Sequence, residues 1–255
     1  MADYTVFEHP LNEKCRTLLR LSHLFEQFEH HLPLETEWNS RAALMALLDV
    51  ANVLSRADIK SELIKEADRY AAALSRMAGK PGVDRVRLDQ ILVDIQGVSH
   101  ALQHHPGQLG HALRNNDFLS AVVQRTSIPG GSFDFDLPQL HHWLQLPHAE
   151  RLMQLDSWRH EVAAVQEAVD LLLSLIRSSA TPQQETAEAG FFQRNLPSGS
   201  HAQLVRVGLA PDAALYPEIS GGKHRFSIRF LESLDLEHPA QTQNDVAFLL
   251  TTCSL

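Results

Sequence analysis

The sequence predicts an α+β protein, in which an α-helical N-terminal domain (residues 1–180) precedes a smaller antiparallel β-sheet domain (residues 181–255). Three observations lead to this fold class. Apolar residues recur at helical spacing through the first part of the chain. A small, polar segment with a proline, SSATPQQETAEAG at 178–190, then interrupts the pattern. Short segments rich in β-branched and aromatic residues follow, separated by turns of Gly, Pro and Asp.

Residues that begin or end helices divide the first domain. Pro10 and Pro33 bound the first apolar pattern, and Asn39-Ser40 carries side chains that suit the N-cap of a second helix. Asp84 is a suitable cap further along the chain. We therefore expect helices within residues 11–28, 42–54, 58–79, 87–102, 117–123 and 147–176.

The second domain is expected to contain strands at 203–209, 223–231 and 245–252. Segments such as LAPDAAL and ISGGK are typical of the turns between them. Segment 178–190 is interpreted as a linker or crossing loop because it has neither a helical nor a strand period.

Composition and charge exclude several classes of protein. The chain has 255 residues and a formal net charge of −9, which argues against a general nucleic-acid binder because such proteins need excess Lys and Arg. The first residues lack the features of a secretory signal, and the apolar stretch at 171–176 is too short to span a bilayer. We expect a cytoplasmic protein without membrane insertion.

The two cysteines, Cys15 and Cys253, lie near opposite ends of the sequence without a paired spacing. This pattern favours reduced thiols in a cytosolic protein. A disulfide between them remains an open alternative at this point.

Segment 125–144 combines a Pro-Gly-Gly breaker with alternating Phe and Asp residues. Asp134 and Asp136 could be interpreted as catalytic carboxylates. Alternation favours another interpretation, in which Phe133, Phe135 and Leu137 point into the core while both aspartates face water. We therefore expect a structural joint.

The predicted strand KHRFSIRF at 223–230 carries a basic face. Because successive strand residues point to opposite sides, its three apolar side chains should face the core, and Arg225, Ser227 and Arg229 should share the exposed side. Arg206 would join that face if the two strands paired. This face could recognise an anion, since arginine grips carboxylates with two donors. Alternatively, it is a solvated face whose cations pair with nearby acids.

A second basic stripe lies on the first helix. Arg16 and Arg20 are four residues apart, and His23 continues the same polar face. The alternative is again a solvated helix face, in which Glu13 pairs with Arg16.

Motifs for enzymatic or metal chemistry are weak. SGGK and SIPGG lack the spacing of a phosphate-binding loop, and neither GxGxxG nor GxSxG occurs. Adjacent histidine pairs diverge on a helix, and no HExxH or CxxC accompanies them, so we expect no metal and no cofactor. A small anion- or nucleotide-binding enzyme that uses the Gly-rich turns with Lys223 and Arg225 remains the alternative to a binding protein.

Several long blocks of the sequence are similar to the ZapD family of bacterial cell-division proteins. They are FEHPLNEK at 7–14, SIPGGSFDFDLPQLHHWLQLP at 127–147 and LYPEISGGKHRFSIRF at 215–230. ELIKEADR at 62–69 and PGVD at 81–84 lie in the right order between them. The resemblance extends from Phe7 to Phe230.

The resemblance implies a homodimeric, non-enzymatic protein of the bacterial Z-ring. Such proteins bind the C-terminal tail of FtsZ, the bacterial tubulin homologue, through a basic surface and cross-link its filaments into bundles at midcell. It also implies a helical domain followed by a β domain. A helical scaffold for an unrelated division partner is the third possibility.

The resemblance also implies which residues bind the tail. They are Arg16, Arg20, Arg56, His141, Arg225 and Arg229, with Lys223 and Arg206 as supporting cations. In LRNNDF, at 113–118, a position expected to be basic in relatives is Asp117, which weakens that part of the expected surface.

Overall fold

The computed structural model describes residues 4–55, 58–197, 199, 201–232 and 237–254. It is an α+β structure with helices through the N-terminal part and antiparallel sheets near the C-terminus, so the predicted fold class is confirmed. The chain forms two compact units, which are Met1–Leu19 with Leu173–Leu255, and Arg20–Leu172. We call them the β unit and the helical unit.

Polar caps define where several helices begin. The Asp84 side chain accepts a hydrogen bond from the Arg87 amide at 3.1 Å, as the sequence predicts. The second helix is capped by Thr36 rather than by Asn39-Ser40, because the Thr36 hydroxyl accepts from the Asn39 amide one turn later. The helices are α1 Glu13–His31, α2 Glu37–Val53, α3 Ile59–Ser75, α4 Arg85–His104, α5 His111–Arg114, α6 Asp117–Thr126, α7 Pro138–Leu144, α8 His148–His160 and α9 Ala163–Ser178.

The β unit contains two antiparallel sheets. The first has the strand order β1-β4-β7-β2 and the second has the order β3-β6-β5. The strands are β1 Thr5–Pro10, β2 Gln183–Ala187, β3 Phe191–Asn195, β4 Ala202–Leu209, β5 Leu215–Gly221, β6 Arg225–Glu232 and β7 Val246–Ser254.

The two sheets share one apolar core. Phe226, Ile228 and Phe230 of β6 are buried there, which confirms the alternation predicted for this strand. The ring of Phe248 on β7 lies 5.0 Å from that of Phe230, so side chains of both sheets interdigitate. The opposite side of β6 is therefore free to carry polar residues.

Four strands, β1, β2, β3 and β5, lie where no strand was predicted, and β5 includes residues 219–221 of the expected ISGGK turn. Gln183–Ala187 forms β2, paired with β7 from Gln183 opposite Leu250 to Ala187 opposite Val246, so the interpretation of 178–190 as a linker is wrong for these residues. Polar side chains can form an edge strand because backbone hydrogen bonds hold it. Thr5–Pro10 forms β1 on β4, despite the proline at its end.

The expectation that Phe133 and Phe135 point into the core is wrong. Both side chains are exposed, whereas Leu137 is buried as predicted. The reason is that this segment is a series of turns, with the Phe133 amide donating to the Gly130 carbonyl at 3.1 Å and the Asp136 amide donating to the Phe133 carbonyl at 3.0 Å. A chain that turns does not alternate between two faces, so the period of a strand does not apply.

Candidate functional site

The basic end of the β unit lies where β5 turns into β6. Lys223, His224 and Arg225 follow one another there, and all three side chains are exposed. The turn is narrow, because the Gly222 amide donates to the Arg225 carbonyl at 3.0 Å. Glycine is needed at position 221, since a Cβ there would lie 2.8 Å from the Cβ of Phe226. We call residues 221–225 the basic hairpin.

A surface cavity of about 390 Å³ lies at the basic hairpin. Its lining includes Gln193 and Ser227 beside the cations. Among the described residues, Lys223 and Arg225 have no acidic partner. Cations that are exposed and unpaired can bind a carboxylate without first breaking another ion pair.

The predicted basic face of β6 is only partly free. Arg229 donates to Glu218 of β5, which lies opposite it in the strand register. Both side chains are half-exposed, and ion pairs of this kind are typically worth less than about 1 kcal/mol. Arg229 can therefore exchange Glu218 for another carboxylate at low cost.

Arg206 was expected on the face of Arg225 only if their two strands paired, and β4 and β6 do not pair. It lies on β4 in the first sheet, whereas Arg225 lies on β6 in the second sheet. Its Nε donates to Glu8 at 2.9 Å, and Glu8 also accepts two hydrogen bonds from Arg177 at 2.9 and 2.7 Å. Arg206 and Arg177 thus both bind the Glu8 carboxylate within the β unit.

Arg16 lies close to a residue that sequence reasoning missed. The Nε of Arg16 lies 3.3 Å from a carboxylate oxygen of Glu13, which makes an ion pair. That Nε is buried and has no hydrogen-bond partner in the part of the chain that the structure describes. Burial and the adjacent Arg16 lower the pKa of His9 below its ordinary value. A hydrogen bond with the Gly221 backbone raises that pKa, but its effect is smaller. His9 therefore connects Arg16 with the basic hairpin. It occurs in the block FEHPLNEK, but no spacing in the sequence relates it to 221–225.

The remaining predicted residues that the structure describes belong to the helical unit. Arg20 is exposed on α1 and has no acidic partner among the residues with described positions. His141 is exposed on α7 and lines a cavity of about 620 Å³. Asp117 is exposed in the first turn of α6, where its negative charge interacts favourably with the helix dipole. Arg56 lies outside the described residues.

The structure also bears on metal binding, membrane crossing and the chemistry of the two cysteines. Within the described ranges, no group of three or more His, Cys, Asp and Glu side chains is placed to hold a metal ion. None of the helices in those ranges combines the length and apolar character needed to cross a membrane. Cys15 and Cys253 are free, and burial raises the pKa of Cys15 to about 12 and that of Cys253 to about 11, so both thiols stay protonated at neutral pH.

Comparisons with known proteins point in one direction. A relative from Methylococcus capsulatus (strain ATCC 33009 / NCIMB 11132 / Bath) is 40% identical over 255 residues, which is all of both chains. One from Aromatoleum aromaticum is 36% identical over 98% of this chain and 97% of the relative. One from Escherichia coli O17:K52:H18 is 38% identical over 99% of this chain and 100% of the relative. Each is named "Cell division protein ZapD".

The fold is of the α+β class, and the relatives define a cell-division protein. The family model described as "Cell division protein" ZapD matches residues 19–229. The chain belongs to the ZapD family, which confirms the resemblance found in the sequence blocks.

Proposed function

We propose that this chain is a non-enzymatic adaptor of bacterial cell division. It binds the C-terminal tail of FtsZ in the cytoplasm at midcell, and as a homodimer it cross-links FtsZ filaments into bundles. The proposed tail-binding residues are Arg16, Arg20, Arg56, His141, Arg225 and Arg229, with Lys223 and Arg206 in support. The family membership supports the role in division.

The observation that carries the proposal is the basic hairpin. Lys223 and Arg225 are exposed beside a cavity and, among the described residues, lack an acidic partner. In a chain with a net charge of −9, such cations form a local attraction for a carboxylate-bearing peptide. Arg225 contributes a planar fork with two parallel donors, which suits a carboxylate better than an ammonium group does.

Bundling follows from two sites in one dimer. Once one tail is bound, the second site of the same dimer meets tails of neighbouring filaments at a high local concentration. Because exposed charges supply the attraction, salt should weaken both tail binding and bundling. Equal bundling at low and high salt would contradict the proposed electrostatic mechanism.

The test is fluorescence anisotropy with a labelled FtsZ C-terminal tail peptide. We expect saturable binding to the wild type and at least a tenfold weaker affinity for Arg225→Ala/Arg229→Ala, about 1.4 kcal/mol, because two charge-assisted contacts are lost. The matched control is Lys80→Ala/Arg87→Ala, which removes the same charge from exposed positions of the helical unit. Equal losses in both variants would mean that only net charge matters.

Two further measurements separate the other classes of protein. A nucleotide-binding enzyme would be stabilised by nucleotides in a thermal-shift assay, since a ligand of the folded state raises the melting temperature. A scaffold for another division partner would give the same result in pull-downs with full-length FtsZ and with FtsZ that lacks its tail. We expect no nucleotide effect and a complete dependence on the tail.

A further inference from the structure

Aromatic side chains of the helical unit are exposed at one place. Trp38 on α2 is 74% exposed, and Phe133 and Phe135 in the turns before α7 are 60% and 78% exposed. The rings of the two phenylalanines lie 5.3 Å apart. Large aromatic side chains that leave the core together mark surfaces for binding another molecule.

Trp38 and Phe133 border the cavity of about 620 Å³ that His141 also lines. We call Trp38, Arg41, Ile128, Phe133 and His141 the aromatic groove. Trp38 and Arg41 come from α2, and Ile128 and Phe133 come from the turns. A cavity of this size can accommodate a large amino-acid side chain.

Arg41 places a guanidinium group in the lining of the aromatic groove. Its guanidinium lies 5.6 Å from the centre of the Trp38 ring and donates a hydrogen bond to the Ser132 hydroxyl. Among the described residues, Arg41 has no acidic partner, although Glu37 and Asp134 also line the cavity. A cation held against an aromatic ring remains available to a carboxylate at the open side.

We propose that the aromatic groove is a peptide-binding subsite that takes a large apolar side chain flanked by a carboxylate. The apolar side chain packs between Trp38 and Phe133, and the carboxylate pairs with Arg41. The peptide is the same FtsZ tail, so this inference rests on the proposed function and adds an apolar anchor to the charge-based recognition. An apolar anchor makes part of the tail affinity independent of salt, because burial of apolar surface is not screened.

Trp38 supplies its own readout. The chain has three tryptophans, and the other two, Trp143 and Trp158, are only 5% and 9% exposed. Burial of Trp38 by a bound side chain should therefore shift the tryptophan emission to shorter wavelength and reduce its quenching by acrylamide. The probe is the unlabelled FtsZ C-terminal tail peptide, and a second peptide has its large apolar residues replaced by alanine.

We expect the natural tail peptide to produce the blue shift and the alanine-substituted peptide to produce none. Trp38→Phe should abolish the signal. Phe133→Ala and Arg41→Gln should each weaken binding by about tenfold in the anisotropy assay, since central aromatic and Arg contacts dominate peptide interfaces. The control is Val86→Ala/Met153→Ala, which removes two exposed apolar side chains outside the groove and should leave affinity unchanged.

Other results would overturn the proposal in distinguishable ways. Tail binding without any change in Trp38 fluorescence would remove the aromatic groove from the site and leave the proposed function intact. No tail binding at any salt concentration would refute both. A blue shift that grows with protein concentration in the absence of peptide would show that a second copy of the chain covers the aromatic groove instead.

Discussion

Arg151 carries a charge into the interior of the helical unit, where it is 5% exposed. Its guanidinium donates to the carbonyls of Leu144 and Leu146, both at 2.7 Å, and to that of Glu35 at 2.5 Å, while Nε donates to the Ser40 hydroxyl at 3.0 Å. One side chain thus satisfies the backbone at the ends of several segments. Leaving a buried acceptor without its charged donor costs more free energy than the hydrogen bond itself contributes.

We expect Arg151→Met to lower the free energy of unfolding by about 3 kcal/mol, because three partly buried carbonyls and the buried Ser40 hydroxyl lose a charged donor. The measurement is urea unfolding followed by circular dichroism. Arg159→Met is the matched control on the same helix, α8. Arg159 pairs with Glu29 at 2.8 Å near the surface, so its loss should cost less than about 1 kcal/mol. Similar costs for both variants would contradict the role of Arg151.

His9 makes stability depend on pH. Burial and Arg16 lower its pKa in the folded protein, so the unfolded chain binds more protons than the folded one just below the ordinary histidine value of about 6.5. The stabilising contribution is complete above that value and is lost as the pH falls below it. His9→Gln should therefore reduce the decrease in unfolding free energy between pH 7 and pH 5. Parallel pH profiles of wild type and variant would refute this assignment.

Individual residues differ in how far the sequence could predict them. Burial alternates along β6 because an extended strand forces it, so Arg225 and Phe226 could be assigned to opposite faces from sequence. The partner of Arg206 could not, since Glu8 is far away in sequence and only the pairing of β1 with β4 brings it near. The positions of Phe133 and Phe135 depended on recognising turns. A period of two was the wrong pattern there.

At the scale of elements, helices with caps and long apolar periods were predictable, and polar or short strands were not. Asp84 and α4 follow rules that act within one turn of helix. β2 has few apolar residues, and its stability comes from pairing with β7, which no local pattern encodes. The β-sheets are therefore where tertiary contacts decide the structure.

The turn between β2 and β3 gives a prediction for a single backbone position. Gly190 has a φ of 71°, and a Cβ there would lie 2.6 Å from the Thr242 carbonyl oxygen. Gly190→Ala should lower the free energy of unfolding by about 1–3 kcal/mol, because both backbone strain and a steric clash are introduced.

Thermal and urea unfolding would measure this cost. Gly222→Ala is the control within the β unit, since a Cβ at that glycine would meet no atom within 4 Å. Its effect should be small. A Gly190→Ala variant as stable as wild type would mean that the turn adopts another conformation in solution.

At the scale of the whole molecule, the proposed bundling needs two functional sites in one dimer. Dimers that pair a wild-type protomer with an Arg225→Ala/Arg229→Ala protomer can hold one tail but cannot bridge two filaments. We expect an excess of the double variant, after subunit exchange, to suppress FtsZ sedimentation more than the same dilution with buffer does. Suppression no greater than dilution would argue against one site per protomer.

The β unit is assembled from both ends of the chain. β1 lies near the start of the sequence, while β7, the last strand, occupies an interior position between β4 and β2. During synthesis, β1, β2 and β4 leave the ribosome before the strand that joins β2 to β4 exists. Residues 20–172 emerge as one continuous stretch and can fold earlier. The first sheet is therefore completed only after β7 has been synthesised, so a truncated product without β7 would lack an interior strand and expose two unpaired edges to degradation.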